Sequence, residues 1–310
     1  MVVLDSAAIA DRITAPRART GLRESRSSRV FQVFNTIVLL LIVTATLYPF
    51  VNIVAQSFSA ETFIRTGQVN LIPRGFNLTT YQLVMGDSVF WTSYRNTVVY
   101  TVVATAIAIV LTTCYAYVIS KRELRGRGLL IGIAVFTMFF NGGLIPNYVL
   151  ITGLGLKNTL WAIVLPNAIS VFNLLVMKSF FENMPAELEE AAQIDGLSTY
   201  GVLLRIVLPL SKAVLATMVL FYAVSFWNSW FAAFLYMDKS ELFPVTIYLR
   251  NLISGASSAM STGAGTSDLA QTAANIKSVT MVLTVLPILC VYPFIQKYFV
   301  SGIMLGSVKQ

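Results

Sequence analysis

The polar residues with the most defined spacing lie in the middle of the chain. Glu187, Glu189 and Glu190 stand beside Ala191 and Ala192, Asp195-Gly196 follows, and Ile206, Leu208 and Pro209 close the segment. Written as a pattern, the segment is E-A-A-x3-G-x9-I-x-L-P. Its chemistry is that of docking, not of bond breaking. Carboxylates offer charge to a basic partner, and alanine side chains let a helix approach another surface closely. Reaction chemistry has few candidates. The chain has no histidine, which removes histidine-based triads, histidine-ligated metals and histidine proton relays together. The carboxylates fall in loops and form no acid–base pair, which argues against a membrane enzyme. Cys114 and Cys290 have no partner at metal-ligand spacing, so they read as packing residues and no metal site is expected.

A helix–turn–helix must carry this pattern. Pro185 suits a first helical turn, where its missing N–H has no partner to lose. The glutamates follow near the positive helix end. Gly196 can take positive φ and close the first helix. Ser198 then caps a second helix that runs through Leu203 and Leu204 toward Ile206 and is limited by Pro209.

Around this segment the chain is apolar. Hydrophobic residues make up 56% of the 310 and charged residues 12%. Six uncharged runs approach the roughly 20 residues needed to cross a bilayer: Val30–Ala60, Asn96–Ser120, Gly128–Leu156, Asn158–Met177, Ala213–Met237 and Ser278–Gln296. Lys277 and Lys297 flank the last run and can snorkel to the two interfaces. The expected fold class is therefore an all-α integral membrane protein of six transmembrane helices. Residues 1–29 read as a tail, 30–301 as the membrane domain and 302–310 as a second tail. Loops are expected at 181–212 and 238–277. The Arg-rich N-terminal tail, the Lys121–Arg127 turn and the loop with Lys178, Arg205 and Lys212 hold more cations than the segments between them. Both termini are accordingly expected in the cytoplasm. Anionic inner-leaflet lipid accounts for the net charge of +8 without nucleic acid.

Three further segments stand out. Asn141-Gly142-Gly143 followed by Pro146 predicts that the third run ends or breaks near Asn141; a broken helix lining a pathway is the alternative. Phe226, Trp227, Asn228, Trp230 and Phe231 place aromatic faces and an amide toward one half of the fifth run. They read either as a substrate path or as an interfacial aromatic belt. Ser254–Ser267 is rich in Gly, Ser, Ala and Thr and reads as a mobile loop.

The E-A-A pattern resembles the ATPase-docking loop of bacterial importer permeases. Phe139–Pro146, Asn158–Ala162, Glu187–Gly196, Val207–Lys212 and Phe226–Trp230 extend the likeness from about Leu130 to the C-terminus. They are similar to permeases of ATP-binding-cassette importers of the carbohydrate-uptake, maltose-type class, and most of all to its lipoprotein-associated, complex-saccharide subgroup. The resemblance implies a MetI-like fold in a bacterial cytoplasmic membrane. It implies that Glu190, Ala191, Ala192, Asp195 and Gly196 couple to an ATPase. The substrate path would draw on Asn141, Phe226, Trp227, Asn228 and Trp230. Gly255, Ser258, Gly263 and Gly265 would belong to a loop that enters a sugar-binding protein. The implied partners are a second, different permease subunit, two ATPase subunits, an extracytoplasmic sugar-binding protein and an oligosaccharide. No G-x-x-x-x-G-K-[ST] stretch occurs, and Gly302–Gly306 does not supply one, so no cofactor is expected on this chain and ATP and Mg belong to the partner ATPase. An ion-coupled secondary transporter is the main rival; the absence of charge from all six runs counts against it.

Overall fold

The computed structural model describes residues 26–262, 275–291 and 293. Residues 1–25 of the first expected tail, all of the second, Gly263 and Gly265 lie outside the described residues. The chain divides at Val51/Asn52 into two units. The N-terminal unit consists, in its described part, of most of α1 (Arg26–Ser57), whose apolar residues recur on all sides of the helix as expected for a lipid-facing segment. Thr36 and Thr46 donate back to the carbonyls of Gln32 and Ile42 within it.

Among its described residues the second unit's regular elements are all helices; the one β contact is an isolated bridge between Ser59 and Phe76. Two short helices, α2 (Glu61–Arg65) and α3 (Thr79–Gly86), lead into α4 (Ser88–Ser120). Asp87 caps α4 by accepting from the Val89 N–H, which starts the helix ahead of the apolar run at Asn96. After a turn in which Gly126 has φ +79° come α5 (Arg127–Phe139) and α6 (Leu144–Gly153). Next are α7 (Trp161–Val164), continued by a 3-10 turn at Leu165–Asn167, and α8 (Val171–Glu182). The polar island forms α9 (Ala186–Ile194), α10 (Thr199–Val202), a π turn at Leu203–Val207, and α11 (Leu208–Leu210). The remaining helices among the described residues are α12 (Lys212–Trp227), α13 (Phe231–Tyr236), α14 (Val245–Thr262) and α15 (Asn275–Val291).

The core lies where α4 meets α8 and α12. Small residues on α4 make this possible: Ala104, Ala108 and Ala116 are fully buried, and they let neighbouring backbones approach closely. Val164, Tyr222 and Phe226 fill the space against Ala104 and Ala108.

Among the described residues, only α1 and α4 are long and apolar enough, as straight helices, to cross a membrane. Three other apolar segments are bent: α5 to α6 by 113°, the α7 segment to α8 by 51°, and α10–α11 to α12 by 83°. The break near Asn141 is as expected. Asn141 Oδ1 accepts from the Gly143 N–H, and Gly143 has φ +94°. The fourth and fifth runs depart from the expected straight spans. Pro166 lacks the N–H that would continue the helix, and Ser170 caps α8 afresh. Asn228 ends α12, so Ala213–Met237 is two helices and not one. The mobile loop expected at Ser254–Ser267 is also corrected: Ser254–Thr262, with Gly255 and Ser258, continue α14. Val245, Ile247 and Tyr248 are buried, and this anchorage outweighs the weak helix propensity of the Gly- and Ser-rich tail.

Candidate functional site

The island folds as its local signals dictate. The α9 end is a Schellman closure: the Gly196 N–H donates to the Gln193 carbonyl and the Leu197 N–H to the Ala192 carbonyl, both at 3.0 Å. Gly196 has φ +83° and open space where a Cβ would stand, so the need for glycine is torsional, not steric. Ser198 Oγ accepts from the Gly201 N–H and starts α10. Asp195 is the exposed C-cap of α9.

The two alanines point in different directions. Ala192 is 4% exposed and packs in a cluster with Tyr117, Phe181, Val202 and Leu203. Ala191 and Glu190 are exposed, and so are Ile194, at 86%, and Tyr200, at 80%. The expectation that both alanines face a partner is therefore corrected. Ala192 fastens α9 to its own chain, while Ala191, Ile194 and Tyr200 form the outward face. Ile194 and Tyr200 were missed in the sequence because a helix this short shows no stable apolar period.

One ion pair fixes the island to the end of α4, and others tie together the helical ends beside it. Glu189 accepts from Lys121 Nζ and from the Tyr117 hydroxyl, and the Lys121 ammonium sits 4.3 Å from the Tyr117 ring centre. Glu182 accepts from Arg127 and, at 2.8 Å, from Lys178. Arg127 also donates to the Ile119 carbonyl.

The second feature is a groove of mixed apolar and neutral polar walls at the breaks in the helices. A cavity of about 930 Å³ is lined in part by Asn167, Ser170, Asn173, Tyr222, Ser225 and Phe226. It shares Pro166 and Asn167 with one of about 540 Å³ that reaches Thr137, Asn141, Asn147 and Tyr236. Neither wall holds a charged side chain. Carboxamides and hydroxyls of this kind suit a neutral, hydroxyl-rich ligand. Tyr222 shapes the junction: its hydroxyl accepts from the Ser170 N–H and bonds Thr112 Oγ1 at 2.6 Å.

The five path candidates are not brought together. Asn141 and Phe226 line the groove. Trp227 is buried, donates from its indole N–H to the Thr284 carbonyl, and lines an apolar cleft of about 280 Å³. Asn228 is exposed and donates to the Val224 carbonyl of its own helix. Trp230 lies under Arg250. Asn147, Asn167 and Asn173 were missed, although Asn167 and Asn173 are amides within an apolar run, a signal that a buried polar group needs a use.

Residues 128–304 match a family described as binding-protein-dependent transport system inner membrane component. Protein LplC of Bacillus subtilis (strain 168) is 40% identical over 288 residues, covering 93% of this chain and 98% of that one. The polygalacturonan/rhamnogalacturonan transport system permease protein YtcP of the same organism is 40% identical over 286 residues, covering 91% and 99%. Among solved structures, a bacterial ABC transporter involved in the import of the acidic polysaccharide alginate matches with a TM-score of 0.79. It is 32% identical, covering 89% of this chain and 99% of that one.

Proposed function

The chain belongs to the family of binding-protein-dependent transport system inner membrane components, and from that premise we propose that it is the permease subunit of an ATP-driven importer of oligosaccharides. One observation carries the proposal: α9 turns Ala192 into its own core and leaves Ala191, Ile194 and Tyr200 projecting. A rigid knob with small and apolar faces and an acidic margin fits a groove on an ATPase subunit. The island end and both termini lie in the cytoplasm; counting each bent pair as one gives five membrane passages, and α15 makes the sixth.

ATP stays with two partner ATPase subunits, together with its Mg. When they close they displace α9, and the Glu189–Lys121 pair passes that displacement to α4. Because α4 packs on α8 and α12, the helices around the groove shift together and expose it alternately to the two sides. A second permease subunit completes the path, and an extracytoplasmic binding protein delivers the sugar. The asparagine-lined groove carries the saccharide by exchanging hydrogen bonds with its hydroxyls.

The test is ATP hydrolysis by the reconstituted complex in response to sugar-loaded binding protein. The native complex responds, and Ile194→Arg loses the response and fails to retain the ATPase while its helices stay folded. Uptake by Ile194→Arg at the native rate, or uptake driven by an ion gradient without ATP, overturns the proposal.

A further inference from the structure

Arg250 on α14 lays its guanidinium over aromatic rings. Its central carbon is 4.1 Å from the Trp230 ring centre and 5.3 Å from that of Phe234. Trp230 meets Phe231 edge-on at 5.4 Å and Phe234 at 6.0 Å, so the aromatic platform is itself packed. Together Trp230, Thr246, Leu249 and Arg250 border a cavity of about 340 Å³. Four other cavities of this chain have no charged side chain in their walls. Among the described residues no carboxylate pairs with Arg250.

A guanidinium stacked on an indole has one plane covered and its in-plane N–H donors free to point outward. That geometry favours a planar anion that takes two parallel hydrogen bonds, and a carboxylate matches it. We propose that Arg250, Trp230 and Phe234 form a binding site for a carboxylated saccharide. One uronate unit sets its carboxylate on Arg250, which the two rings hold in place, and its C–H face on the aliphatic wall at Leu249. A volume near the lower end of ligand pockets fits a single sugar ring. The site lies apart from the uncharged groove, so it would select for charge where the groove does not. This inference rests on the reading of the chain as a saccharide permease.

Trigalacturonate and its methyl ester are the probes. They are titrated onto the full complex in nanodiscs of neutral lipid, and tryptophan fluorescence is followed against a Trp230→Phe control. The native complex is expected to bind the acid about tenfold more tightly than the ester. Arg250→Gln removes that preference and leaves the ester's affinity unchanged, and Arg250→Lys, which cannot form the paired hydrogen bonds, is intermediate. Retention of the ATPase by each variant establishes that it is folded. Equal binding of acid and ester by the native complex, or a preference that survives in Arg250→Gln, overturns the site and leaves the saccharide reading intact. A response to phosphatidylglycerol that depends on Arg250, without one to the acid, assigns the cation to lipid and also overturns it. Failure of both saccharides to bind, with no sugar-dependent ATP hydrolysis, removes the saccharide reading itself.

Discussion

The island end of the molecule is held by charge, whereas the end formed by α14 and its approach is held by hydrogen bonds between largely neutral groups. At the first, Lys121–Glu189 and Arg127–Glu182–Lys178 join helical ends that are distant in sequence. At the second, Asn96 donates to the carbonyls of Glu241 and Phe243, Tyr100 to that of Leu242, and the Val245 N–H to Thr97 Oγ1. Ionic contacts between part-exposed side chains tolerate small displacements and still pull, since charge attraction falls slowly with distance. Short neutral hydrogen bonds fix a geometry and are lost when it changes. The first kind suits an end that must transmit movement and the second an end that must keep its shape.

The sharpest way to break this comparison is at the two adjacent alanines. Ala192→Arg puts a charged side chain into a packed cluster and is expected to cost several kcal/mol, on the order of 3 or more. Ala191→Arg, on the exposed face, should leave stability within about 0.5 kcal/mol and act only on ATPase retention. Thermal unfolding of the two variants in detergent measures the difference, and equal shifts in Tm refute the inward and outward assignment.

A smaller effect is expected at the ionic strut. Lys121→Glu should lower sugar-dependent ATP hydrolysis roughly tenfold, because two carboxylates then face each other across the contact. The exchange of both charges, Lys121→Glu with Glu189→Lys, should recover most of the loss. If the double variant is no better than the single ones, the pair carries no coupling and the ionic end is only a fastening.

The smallest effect concerns a clasp at which the second end departs from its rule. Asn158, held at φ +59°, donates from its backbone to Tyr236 and accepts from the Asp238 N–H, while Lys157 pairs with the Asp238 carboxylate at 3.0 Å. The hydrogen bond from Lys157, then that from Asn158, holds the Asp238 carboxyl below its ordinary value. A carboxyl with a lowered folded-state pKa stabilises fully above the unfolded value, and the contribution is lost as pH falls through the folded one. Protection of the Asn158 amide, corrected for intrinsic exchange, should therefore decline only on strong acidification, and Asp238→Asn should remove the pH dependence. An unchanged profile in Asp238→Asn would show that the neutral contacts hold this clasp alone.

The two ends also differ in how far the sequence discloses them. Pro185, Gly196 and Ser198 specify the island locally, because caps and a positive-φ glycine act on their immediate neighbours. The break at Asn141-Gly142-Gly143 is local in the same sense. The helix through Gly255 and Ser258 was hidden, since what stabilises it is burial of Val245, Ile247 and Tyr248 against elements far off in sequence. The groove was half legible. Asn141 stood out beside its glycines, but only the bends bring Asn147 and Asn167 to the same cavity.

Arg127 has a consequence for how the island end can move. Its guanidinium bonds the Ile119 carbonyl near the end of α4 and the Glu182 carboxylate at the end of α8, and its own backbone begins α5. Three rods pinned at one node lose their independent rotations. A torque on any of them is shared by the other two, and the joint behaves as the hub of a tripod.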